Sequence, residues 1–336
     1  MAPTSWRRYI PSRGWLIFLG ITSSIASAAL YDKYQLKIVR EDLKKRASQL
    51  AAMPMDTRET PRKVLVYLAP SQWATYSFKE FVKPVFDAAA LDYEILEPSK
   101  PHIVRKAMRE LIWRGKEEQI EREEKYRQAV LAAPKTWFGG RIPVELEEED
   151  NPVLAHSYRY SSRRALVAVG PEAWGELLAG LEEGSLSTRP PPKELTETEL
   201  EPAETAADAS LSEADRKKKE TERQQERQRR EEQESLHPQL ELAQSNLPPQ
   251  FAFPIISFVP GKNLTGFKNF PMRIAGWFNQ RATAKEVGEE ALKIVFEKTR
   301  AFDSDRDYYL GHEHLPQDQW PSKPDPVIAE RLSVYA

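Results

Sequence analysis

The side chains in this sequence that could hold a metal or move a proton are few and poorly spaced. His312-Glu313-His314 holds the one close pair of histidines. A zinc-binding helix needs histidines four apart with a glutamate between them. Two apart suits a strand face, yet the surrounding residues read as polar loop. His102, His156 and His237 stand alone. Glu147-Glu148-Glu149-Asp150 puts four acids in a row. Adjacent carboxylates need turn glycines and backbone carbonyls to converge on a cation, so this run reads as a solvated loop. Cysteine is absent, which removes disulfides, thiolate ligands and a cysteine nucleophile together. There is no G-x-S-x-G elbow and no G-x-x-x-x-G-K-S/T loop, and Gly261-Lys262 lacks both the upstream glycine and the following hydroxyl. The residues point to no catalytic group, no cofactor and no metal.

What the sequence does position is an anchor. Gly14 to Tyr31 is an uncharged apolar run behind a basic arm, residues 1–13, with Arg7, Arg8, Arg13 and no acid. Its length just suffices to cross a bilayer as a helix. A cleaved signal peptide is the competing reading, with Ala26-Ser27-Ala28 as its cleavage site, but this apolar core exceeds a usual signal core. The Arg- and Ser-bearing, acid-free start also has the character of a mitochondrial targeting segment. Gly20, Ser24 and Ala28 recur every four residues and form one small-residue face, on which another membrane helix can pack. Three basic residues precede the span. Six follow it closely: Lys33, Lys37, Arg40, Lys44, Lys45 and Arg46. The positive-inside count alone directs the rest of the chain to the matrix.

That rest is water-soluble in composition. The 49 basic and 51 acidic residues leave a net charge of −2, which gives no footprint for nucleic acid. Residues 32–53 continue the membrane helix with Leu36, Val39, Leu43, Ala47 and Leu50 on one side. Pro54 and Pro61 close this juxtamembrane stretch, 32–60. An α/β body follows in two parts, 61–187 and 251–336. Val64–Ala69, Arg164–Val169 and Ile255–Val259 read as strands of the fully buried type, and Asp92–Leu96 as the second strand of a parallel βαβ unit with the first. Helices are expected over 78–89 (with Pro84 kinking it or marking its start), 102–133, 172–181 and 283–300. Thr283 and Glu286 fit a capping box. The tail after Asp303 reads as polar and proline-rich. Between the two parts, 188–250 is a charged insertion. Its segment 212–234 holds eight acidic and eight basic residues and almost nothing apolar, as in a disordered stretch or a lone solvated helix.

The run VLVYLAP, FKEFVKPVFDAAALDYEIL, RALVAVGPEAWGELLAGL and PIISFVPGKNLTGF resembles the nucleotide-binding half of diacylglycerol-kinase-like lipid kinases. The fold class is then α/β: a single N-terminal transmembrane helix, then a parallel-sheet domain resembling a degenerate version of that half. The kinase family has an asparagine-proline turn after its first strand and a GGDG loop after its third. Here Ala69-Pro70-Ser71 and Gly170-Pro171-Glu172-Ala173 stand in those places. Proline removes an N–H and alanine adds a side chain where a phosphate would need bare backbone. The resemblance implies the fold and speaks against kinase activity.

A second resemblance spans nearly the whole chain. PSRGWLIFLGIT at 11–22, AALYDK at 28–33, PRKVLVYLA at 61–69, FVKPVFDAAALDYE at 81–94 and RRALVAVG at 163–170 resemble the fungal fifty-four-kilodalton subunits of the mitochondrial inner-membrane carrier translocase. That resemblance implies a non-enzymatic, single-pass inner-membrane subunit with its body in the intermembrane space. It implies channel-forming and other translocase subunits and small intermembrane-space chaperones as partners, and insertion of multi-spanning carrier proteins as the process served. An active lipid or nucleotide kinase and a general membrane tether stay open as alternatives.

Overall fold

The computed structural model describes residues 12–54, 62–132, 164–189, 247–261, 267–311 and 323–335, except 99, 101, 249 and 250. The basic arm, the four-acid run, His156, His237, the His312–His314 pair and nearly all of the charged insertion lie outside the described residues.

α1 runs unbroken over Arg13–Ala51, about 58 Å at the α-helical rise, so the apolar run and the amphipathic stretch after it are one helix. β1 (Lys63–Leu68) follows. A helical stretch then comprises α2 (Gln72–Ser77), one π turn (Phe78–Val82) and α3 (Lys83–Ala88). Ser71 caps α2 by accepting from the Ala74 N–H at 3.2 Å. Pro84 has no N–H for the Glu80 carbonyl, and the π turn sits where an α-helical ladder would require it. Phe78, Phe81, Val82, Val85, Phe86 and Ala89 are all buried, as their spacing predicts.

β2 (Asp92–Leu96) leads to α4 (Ile103–Ala132), β3 (Arg164–Val169) and α5 (Pro171–Leu186). β4 (Ile255–Val259) precedes α6 (Phe270–Trp277) and α7 (Gln280–Val295). The chain closes with β5 (Thr299–Ala301), α8 (Pro326–Ala329) and β6 (Ser333–Tyr335). The sheet order is β2-β1-β3-β4-β6-β5. Every pairing is parallel except β5 with β6. Ala165 to Val169 of β3 are fully buried, so both faces of the sheet centre are covered and the unbroken apolar run is explained.

Several boundaries differ from the sequence expectation. α5 extends to Leu186 rather than ending at Leu181, because Gly180 and Gly184 are contact points and not a stop. A Cβ on Gly180 would lie 2.6 Å from the Arg105 carbonyl oxygen, and one on Gly184 would lie 2.8 Å from Ile112 Cβ. α4 and α5 therefore approach backbone to backbone, and each caps the other. Glu176 of α5 accepts the His102 and Val104 N–H groups at 2.7 and 3.2 Å, which satisfies the start of α4. Burial pushes the Glu176 carboxyl up from its ordinary value, against those backbone donors. At the other end, the buried Lys116 ammonium of α4 donates to the carbonyls of Gly184, Ser185 and Ser187 at 2.8–3.0 Å, and burial pushes its pKa down to about 8.

The helix expected over 283–300 runs instead over Gln280–Val295. Its last turn gives way to β5, and the Arg62 guanidinium donates to the Ile294 carbonyl at 2.7 Å. The polar tail is not merely loop. It delivers β6 between β4 and β5, with Leu332, Val334 and Tyr335 buried.

Candidate functional site

The span and the body meet at Asp32. The apolar run is exposed through Ala28, and Asp32 is the first charged residue beyond it. Asp32 is only 2% exposed. Its Oδ2 accepts the Gln280 N–H at 3.0 Å, the first N–H of α7. Its Oδ1 lies 3.8 Å from Arg281 Nε, and that guanidinium sits 5.1 Å above the Tyr31 ring. A carboxylate at a helix N-terminus satisfies an orphan N–H and faces the positive end of the dipole. The expected capping box is not used: α7 starts three residues before Thr283, and its cap comes from the membrane helix. Asp32→Ala should cost about 1 kcal/mol of body stability, seen as a lower thermal midpoint of the detergent-solubilised chain. Asp32→Asn, which keeps an acceptor, should recover part of it.

Beyond Asp32, α1 lies along α7. Leu36, Leu43 and Ala47 are buried in the common core. A Cβ built on Gly288 would overlap the Leu43 methyls, so glycine sets the approach of the two helices. Arg46 grips Glu289 with two hydrogen bonds of 2.6 and 3.0 Å. Arg40 reaches Glu80 at 2.5 Å and stacks 5.3 Å from the Phe81 centroid. The span is thus the free half of a helix whose other half belongs to the body core.

The Arg46 hydrogen bond, opposed by partial burial, holds the Glu289 carboxyl below its usual value. A depressed acid stabilises the fold above its unfolded pKa, about 4.3, and that contribution is lost as pH falls through the lower folded value. Both side chains are about two-fifths exposed, so solvent screening keeps the pair below about 1 kcal/mol. Glu289→Gln should flatten the stability profile on the acid side of about pH 4.3 and leave the slope from pH 6 to 8 unchanged.

Gly20, Ser24 and Ala28 lie on one exposed face of the span. The Ser24 hydroxyl donates to the Gly20 carbonyl at 2.8 Å, and Thr22 donates to Phe18 at 2.9 Å. These hydroxyls are satisfied within the helix, which leaves a smooth, shallow surface. Among the described residues, nothing beyond the helix's own backbone lies within 4 Å of a Cβ built on Gly20.

An open parallel sheet binds ligands beyond the carboxyl ends of its strands, where the strand order reverses. Here that point lies between β1 and β3, and it is filled. The Ala69 N–H donates to Val169 at 2.9 Å, and the Gly170 N–H donates to Val259 at 3.0 Å. Gly170 has φ +96°, and a Cβ on it would stand 3.0 Å from Ala69 Cβ. Pro171 opens α5 without an N–H. The start of that helix is covered by the segment after β5. A Cβ on Gly311 would meet Pro171 Cβ at 2.7 Å, Trp174 Nε1 donates to the Asp307 carbonyl at 3.0 Å, and Arg300 clamps the Asp307 carboxylate. A cleft of about 400 Å³ remains at the rim, lined by Ala69, Ser71, Gln72, Thr75 and Glu97 among others, with a carboxylate and no basic side chain. An anion-binding cradle needs free N–H groups or cations, and here the Glu97 carboxylate on the rim holds Lys79 at 3.7 Å. Among the described residues, no three His, Asp or Glu side chains cluster as a metal site would require.

A sequence profile of the family described as inner membrane protein import complex subunit Tim54 matches residues 3–325. The chain belongs to the Tim54 family. The TIM54 translocase subunit of Candida albicans is 26% identical over 94% of this chain and 86% of its own length. The tim54 subunit of Aspergillus oryzae is 32% identical over 93% and 71%. That of Schizosaccharomyces pombe is 30% identical over 87% and 79%. In this Tim54-family chain, the residues that couple anchor to body are Asp32, Leu43, Arg46 and Gly288. Sequence reading placed Leu43 on the right face but had no signal for the others, since their partners lie some 240 residues away.

Proposed function

We propose that this chain is a non-enzymatic subunit of the mitochondrial inner-membrane translocase that inserts multi-spanning carrier proteins. The observation that supports this most is the membership of the Tim54 family across nearly the whole chain, joined to a span continuous with a helix that enters the body core. A shared helix transmits position and orientation from the membrane to the body, as a scaffold requires. The body stands in the intermembrane space and docks small chaperones, and the span packs on a channel subunit through Gly20, Ser24 and Ala28. The filled crevice at the β1/β3 reversal fits a lipid-kinase-like sheet that has lost its nucleotide site. Depleting the chain and importing a labelled carrier precursor into the isolated mitochondria tests the reading. Carrier insertion should fall while import of soluble matrix precursors is unchanged; equal insertion sinks it. Protease added after rupture of the outer membrane should digest the body, and protection would put it in the matrix. Micromolar nucleotide binding by calorimetry would revive the kinase alternative. Gly20→Leu should cut co-purification of a membrane subunit several-fold, about the effect of closing a small-residue helix contact, without releasing the chain from the membrane.

A further inference from the structure

We propose that α6, with the 3₁₀ turn Phe267–Asn269 before it, is an interfacial helix lying in the headgroup layer of the leaflet from which the body emerges. None of its side chains is buried in the body. Phe270, Ile274 and Trp277 follow one another at i, i+4 and i+7, so they share one face of the helix. All three are exposed, Trp277 by 57%. Phe267, 91% exposed, stacks on Phe270 with the rings nearly parallel at 6.3 Å. A soluble body has no use for such a stripe, and eight residues are too few to span a bilayer.

The occupant follows from where the stripe sits. Only Phe278 and Asn279 separate α6 from Gln280, and the Gln280 N–H is bonded to Asp32, the first charge past the span. Three residues reach at most about 10 Å, so the end of α6 lies within about 10 Å of the Gln280 N–H that Asp32 accepts, just past the span. Arg281 stacked on Tyr31 pins the same height. The charge agrees with a lipid surface. Residues 260–285 carry five basic side chains, Lys262, Lys268, Arg273, Arg281 and Lys285, and no acid, with Arg281 facing Asp32. A short helix with an aromatic face and basic flanks binds the interface of an anionic bilayer. With α1 crossing the membrane and α6 lying on it, the body is held at two points and its tilt is set.

The cysteine-free chain permits a direct test on the whole 336-residue chain. Ile274→Cys, Trp277→Cys and Met272→Cys, the last on the opposite face, are each labelled with an environment-sensitive fluorophore. The chains are reconstituted into vesicles of phosphatidylcholine with cardiolipin. Probes at 274 and 277 should shift to the blue, lose emission to a nitroxide-bearing lipid and resist aqueous iodide. The probe at 272 should show the reverse. Omitting cardiolipin should weaken the lipid quenching. Iodide access at all three positions overturns the proposal, provided the chain still resists carbonate extraction; release by carbonate would instead overturn the anchor on which the proposal rests. Exposure in vesicles but shielding from both quenchers in mitochondrial membranes would identify a protein surface as the occupant and overturn it equally.

Discussion

Leu43→Asp should sever the body from its membrane helix at a cost of about 4 kcal/mol or more. The leucine is 3% exposed and packs where Gly288 lets α7 come closest. The substitution removes a buried side chain, worth about 2–5 kcal/mol when cut to alanine, and leaves a carboxylate with no cation beside it. Arg46 does not rescue it, because its guanidinium is spent on Glu289. Limited proteolysis should then cut α1 between Asp32 and Ala51, where the parent resists, and the thermal midpoint should fall by about 10 °C for a body of this size. Leu43→Met, which keeps volume and polarity, should cost less than about 1.5 kcal/mol. An Asp variant as stable and as protease-resistant as the parent would show that α1 does not rest on α7.

The second large effect is expected at Gly180→Leu, which should cost at least about 3 kcal/mol. The new Cβ would meet the Arg105 carbonyl oxygen at 2.6 Å and Met108 Cβ at 2.8 Å. Backbone cannot rotate aside as a side chain can, so α4 and α5 must separate. Separation also breaks the mutual caps: Glu176 leaves the start of α4, Lys116 leaves the end of α5, and Arg105 and Arg109 lose Glu183. Thermal unfolding of the solubilised chain reads this directly. Gly276→Ala is the matched control, because among the described residues nothing beyond its own helix backbone lies within 4 Å of a Cβ there. It should be neutral or add up to about 1 kcal/mol by helix propensity. Equal midpoints for both variants would refute close packing at Gly180.

The parts legible in the sequence are those whose cause is local. β1, β3 and β4 are runs of β-branched and apolar residues, which a strand covered on both faces can bury, whereas β2, DYEIL, is a largely exposed edge strand. The apolar faces of α1, α3, α4 and α7 follow the helical period and are inward. β5 and β6 were not legible. Thr-Arg-Ala and Ser-Val-Tyr have no period of their own and are strands only because β4 offers an open edge. The Thr283/Glu286 box is a valid local signal that lost to a better one, a buried carboxylate on another helix. The helix expected to end at Leu181 runs on to Leu186, and Gly184 within that extension lets α4 approach.

The sequence by itself determined that there is one uncharged run able to cross a membrane and a parallel sheet behind it. Composition and short-range periodicity are enough for that, since they depend on neighbours within a turn or two. Only the tertiary structure decided that Asp32 caps α7, that Gly180 and Gly288 are contact points, that the strand-order reversal is filled and that the aromatic face of α6 is left exposed. Each of these depends on groups tens to hundreds of residues apart. Their distance is set by how the helices dock, which no local pattern encodes.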